Sequence, residues 1–110
     1  MMADTIQLPA ISSGATLHLL NRATHAHGTW EEMMRALGEQ DPVLLIEDGV
    51  TSLIRPPKAL MALGERLYVL EEDLQARGVT SLLFEIGAQR IDMQGFVLLT
   101  ERCERIISWF

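Results

Sequence analysis

A chain of 110 residues with 48% hydrophobic content is the size of one domain and can bury a single core. Its formal net charge of −6, with Arg and Lys scattered singly, argues against a self-sufficient nucleic-acid binder, which presents a basic stripe to phosphates. The single cysteine, Cys103, rules out an intrachain disulfide and any CxxC metal or redox pair, and no apolar run approaches the roughly 18 residues of a membrane span.

Residues 1–15 carry no Lys or Arg, and Ile6, Leu8 and Ile11 are isolated rather than a continuous apolar block. That is not the pattern of a secretory signal. The segment is expected to be a flexible N-terminal extension, followed by one domain over residues 16–110, in a cytoplasmic protein.

Leu17, Leu19 and Leu20 predict a first strand. Thr29-Trp30-Glu31-Glu32 fits a capping box opening a helix. Trp30, Met33, Met34 and Leu37 then recur at i, i+3, i+4, i+7, and Gly38 ends the helix. After the Asp41-Pro42 turn, the unbroken run Val43-Leu44-Leu45-Ile46 predicts a parallel strand buried on both faces. Glu47-Asp48-Gly49 closes that strand, and a short helical turn fits around Thr51–Ile54.

Pro56-Pro57 can start a second helix in which Leu60, Met61 and Leu63 pack and which Gly64 ends. Leu67-Tyr68-Val69-Leu70 is the third strand. Glu71-Glu72-Asp73 favours a helix start through the macrodipole, and Arg77-Gly78 suits its end. Residues 79–91 read two ways. Leu82-Leu83-Phe84 fits a strand or a helical turn, and Gln89-Arg90-Ile91 fits a short strand. Asp92 can cap a last helix with Phe96, Leu99, Thr100 and Cys103 on one face, and Ile106-Ile107 belongs to a final strand. Strands alternating with helices in this way indicate βαβ units and a mostly parallel sheet with helices on both faces.

Several of these segments, in order, resemble the TusB/DsrH family. They are Leu17-His18-Leu19-Leu20-Asn21-Arg22, Leu44-Leu45-Ile46-Glu47-Asp48-Gly49-Val50, Leu67 through Leu74 with Ala76-Arg77-Gly78, and Ile91-Asp92 with Gly95-Phe96-Val97 and Leu99-Thr100. Trp109 fits as well. The resemblance covers roughly residues 16–110, and residues 1–15 depart from it. It implies an α/β fold of three layers (α/β/α), with a mostly parallel sheet of about five strands. It also implies a subunit of a heterohexameric sulfur-relay complex with TusC/TusD-like or DsrF/DsrE-like partners. In the first system sulfur passes as a protein-bound persulfide toward 2-thiolation of the tRNA wobble uridine; in the second the complex serves sulfur oxidation. The principal carrier cysteine belongs to the TusD- or DsrE-like partner. DsrH-type members also hold a cysteine in the first helix region, where this chain has Met33 and Met34. A thioether cannot carry a persulfide, so the reading shifts to a TusB-like, non-carrier subunit that meets tRNA or its thiolase only indirectly.

Cys103, the one thiol, could serve as a sulfur carrier, since a thiolate attacks the donor sulfur. Its helical spacing with Phe96 and Leu99, near a helix C-terminus that disfavours a thiolate, favours a core position instead. Glu47, Asp48, Glu71, Glu72 and Asp73 fall at the ends of two predicted strands. There they could hold Mg²⁺ in a phosphoacceptor or small-molecule binding domain, but turn and cap chemistry explains them as well. His25-Ala26-His27 with His18 is a weak metal pattern without a clear third ligand. No Gly-rich phosphate loop or nucleophile elbow is present. The expectation is therefore no catalytic, cofactor or metal residue in this chain, no membrane contact, and an accessory subunit rather than an enzyme alone. Trp109, Phe110 and His18 are the candidates for partner contact, because aromatic side chains anchor interfaces.

Overall fold

Five short strands alternate with helices, and every pairing between neighbouring strands is parallel. The computed structural model describes residues 11–25 and 28–110. The strands are β1 (Thr16–Leu20), β2 (Val43–Leu45), β3 (Leu67–Leu70), β4 (Gln89–Ile91) and β5 (Arg105–Trp109). They lie in the order β4-β3-β2-β1-β5.

That order explains the layers. From β1 to β4 the chain steps one place at a time in the same direction. Right-handed connections then put the intervening helices on a single face. These are α1 (Thr29–Ala36), α2 (Lys58–Met61) and α3 (Glu71–Ala76), with 3-10 helices at Glu47–Ile54, Gly64–Arg66 and Thr80–Glu85. The connection from β4 to β5 runs back across the sheet, so α4 (Met93–Arg102) must cover the opposite face. The packing agrees. Leu20, Val43, Leu45 and Val69 meet Met33, Leu53, Leu60 and Leu74 on one side. Leu17, Leu19, Leu44, Tyr68 and Ile91 meet Leu99 and Cys103 on the other. Alternate residues of each strand serve alternate cores, which is why β2 and β3 are unbroken apolar runs. Full burial of side chains such as Leu17, Leu44 and Leu99 stabilises the fold by roughly 1.5–3 kcal/mol each.

Some sequence expectations shift by a residue or more. The first helix is capped by Gly28, not Thr29. Gly28 has no side chain to offer, and the Glu31 carboxylate, rather than that of Glu32, accepts from the Gly28 amide at 2.9 Å. That helix ends at Ala36, before Gly38, whose amide donates instead to Asp41 Oδ2 at 2.8 Å. Met61 is 44% exposed while Leu60 is fully buried, because α2 is one turn long and presents a single face. The ambiguous stretch resolves into the 3-10 helix Thr80–Glu85 and then β4. Asp92 does cap α4, accepting from Gly95 N at 3.0 Å. The expected N-terminal extension falls mainly outside the described residues. Of its described part, Ile11 packs against the α4-side core and Ala15 is buried.

Candidate functional site

β5 occupies one end of the sheet and pairs only with β1 among the described residues. Its register sets Thr16 against Arg105, His18 against Ile107 and Leu20 against Trp109. Arg105, Ile107 and Trp109 therefore face the α1 side, and Ile106, Ser108 and Phe110 the α4 side. Neither side is well covered, since Ile106 is 47%, Ile107 37% and Phe110 76% exposed. Edge strands that avoid pairing carry charges or bulges. Here the only charged residue is Arg105, at the start, where its Nε donates to Thr16 Oγ1 at 3.2 Å. The middle of the strand is apolar and, among the described residues, uncovered.

Trp109 fixes the far end of this strand from within. Its indole Nε1–H donates to His18 Nδ1 at 3.0 Å, and His18 Nε2 lies 3.0 Å from Asp41 Oδ2. Indole can only donate, so Nδ1 must be the bare nitrogen. Nε2 then carries the proton and donates to the carboxylate, which fixes the neutral Nε2–H tautomer of a fully buried histidine. The rings lie side by side, 6.1 Å between centroids and 11° apart, as an in-plane hydrogen bond requires, rather than face to face. Asp41 also accepts from Thr16 N at 3.0 Å and Gly38 N at 2.8 Å. Burial raises its pKa, but these amides and His18 more than offset that, leaving it below the ordinary value of 3.8.

His18 therefore has no surface to offer a partner directly; it acts on the edge strand through Trp109. Asp41 was legible in the sequence only as a turn residue. A lone histidine inside an apolar strand should have prompted a search for its buried partner.

Cys103 follows α4 as its C-cap and is 8% exposed in the α4-side core. Burial, then the nearby Asp41 charge, pushes its thiol pKa up. Both effects disfavour the thiolate that sulfur chemistry needs. The acidic residues at the strand ends have local work. Asp73 Oδ2 accepts from Glu47 N at 2.6 Å, Arg77 Nε donates to Asp48 Oδ1 at 3.1 Å, and Arg90 pairs with Glu71 at 3.3 Å. Among the described residues no three His, Cys, Asp or Glu side chains converge to hold a metal. His25 is exposed, while Ala26 and His27 lie outside the described residues. No helix among the described residues is long and apolar enough to cross a membrane.

The family model of DsrH-like proteins matches residues 23–106. The Protein TusB of Shigella sonnei is 33% identical over 96 residues, spanning 84% of this chain and 99% of the relative. This chain belongs to the TusB/DsrH family. The Protein TusB of Salmonella dublin is 34% identical over 80 residues, covering 70% of this chain and 83% of that one. The family match runs through the acidic strand ends, Cys103 and the start of β5, and the longer alignment reaches nearly the full length of its relative. The five-stranded parallel sheet with helices on both faces is the fold the resemblance implied.

Proposed function

We propose that this TusB/DsrH member is the non-carrier subunit of a cytoplasmic sulfur-relay complex. It joins TusC- and TusD-like subunits in a heterohexamer that passes persulfide sulfur toward 2-thiolation of the tRNA wobble uridine. It positions its partners and shields the persulfide on a neighbour rather than carrying sulfur itself. The observation that carries the reading is the β5 edge: Ile106, Ile107 and Phe110 stand open on a strand held in register by Trp109. Aromatic and aliphatic anchors on an unpaired strand edge are what a partner's surface buries.

The non-carrier role is supported by the buried Cys103 and by the thioethers of Met33 and Met34 in α1. The relatives called TusB favour tRNA thiolation over the sulfur-oxidation alternative. The test is reconstitution with candidate partner subunits. Cys103→Ser should assemble and support sulfur transfer at the wild-type rate. Loss of transfer with assembly intact would overturn the non-carrier role. Ile106→Lys with Ile107→Lys should leave the isolated chain folded and abolish co-purification; unchanged co-purification would remove β5 from the interface.

A further inference from the structure

At the carboxyl ends of β1 and β2, residues 22–25 face the 3-10 helix Glu47–Ile54 across two adjoining hollows, of about 310 and 370 Å³. Both are lined by His25 and Thr51; Arg55 and Ser52 line the first, Arg22 and Asp48 the second. Open α/β sheets bind ligands beyond the carboxyl ends of their strands. The hydrogen-bonding inventory of the cleft is one-sided. Arg22 and Arg55 are exposed, and neither has an ion pair or hydrogen bond among the described residues. Asp48, the one acid among the described lining residues, is already met by Arg77 Nε at 3.1 Å. Ser52 is 3% exposed; its Oγ accepts from Thr24 N at 3.1 Å, and its hydroxyl proton has no acceptor among the described residues. The cleft thus offers two uncommitted guanidiniums, an imidazole and a free O–H, in a chain whose net charge is −6.

We propose that this cleft binds a tetrahedral oxyanion of the phosphate class, clamped between Arg22 and Arg55, with Ser52 and His25 completing its hydrogen bonds. Guanidinium groups suit this role because they present planar, paired donors to such oxygens. The site is independent of the relay reading, and no residue of β5 lines it.

The test is an amide NMR titration of the full chain with sodium phosphate, against sodium chloride at matched ionic strength. Phosphate should give saturable shifts at residues 22–25 and 51–55 that chloride does not reproduce. Arg22→Gln with Arg55→Gln should weaken binding by about tenfold or more. Arg35→Gln with Arg102→Gln removes the same charge elsewhere on the exposed surface and should leave binding unchanged. A second arm uses a nucleoside 5′-monophosphate. Tighter binding at the same amides identifies a phosphomonoester as the ligand; equal or weaker binding identifies the free ion. Equal shifts with chloride, wild-type affinity in the Arg22/Arg55 variant, or equal losses in both variants would overturn the proposal.

Discussion

At the scale of single residues, the tightest constraint is the chain of donors from Trp109 through His18 to Asp41. Trp109→Phe removes the only donor to His18 Nδ1 among the described residues and leaves a buried acceptor unpaired. The expected cost is about 1–3 kcal/mol of stability, read by denaturant unfolding. A double-mutant cycle with His18→Leu separates the hydrogen bond from lost indole packing; zero coupling would reduce the contact to packing. Asp41 adds a pH dependence. Its folded pKa is depressed below 3.8, so its stabilisation is present above that value and is lost as pH falls through the depressed one. Asp41→Asn should therefore be less stable at neutral pH and lose less on acidification; parallel acid profiles would contradict this. Tyr68 gives the opposite sign. Burial first, then the Cys103 and Glu65 charges, raise it from 10.0 to about 12, against a smaller lowering by Arg102. Its contribution is complete below pH 10 and fades as pH rises toward 12. Because it is the sole tyrosine, absorbance titration of phenolate reads it directly. A midpoint near 10 would mean that the ring is not buried as described.

At the scale of elements, two glycines set how closely helices approach strands. A Cβ on Gly49 would stand 2.1 Å from the Leu20 carbonyl oxygen, and one on Gly95 would stand 2.7 Å from Ile91 Cβ. In the first case the obstacle is backbone that also accepts from Ile46 N at 3.0 Å, so it cannot give way without opening the end of β1. Gly49→Ala is expected to destabilise by at least the 1–3 kcal/mol typical of overpacking, and more than Gly95→Ala, whose obstacle is a side chain. Equal or negligible costs in thermal unfolding would refute the ranking. The sequence marked Gly49 only as a turn, because close approach of two backbones 29 residues apart leaves no local trace. Elements with strong local signals were legible. β2 and β3 are continuous apolar runs, and the Asp92 cap is one short side chain bonding three residues on. The α1 cap slipped to Gly28 because Thr29 and Glu32 satisfy the same pattern one residue later.

At the scale of the whole molecule, strand order was not legible, since alternation predicts a parallel sheet without saying which strand lies beside which. The place of β5 next to β1 is decided by side chains 91 residues apart, Trp109 and His18, and no periodicity carries that information. The same distance has a dynamic consequence. β1 to β4 join by successive local crossovers, whereas β5 reaches its place only after α4 has crossed the sheet, and among the described residues its outer edge and much of its side-chain surface remain open. Local opening is easiest where few buried contacts hold an element, so β5, with its exposed side chains, should be less protected than β1, β2 and β3 in the isolated chain. Native-state hydrogen exchange is expected to show β1, β2 and β3 amides exchanging only by global unfolding. The amides of residues 105–109 should open sub-globally, and Trp109→Phe should accelerate them further while leaving β2 and β3 relative to the global limit unchanged. If β5 is also where partner subunits dock, its protection should rise toward that of β1 on assembly. Protection of β5 equal to β2 in the free chain, or unaltered in the complex, would separate this strand from the assembly surface and leave its exposed isoleucines without a role.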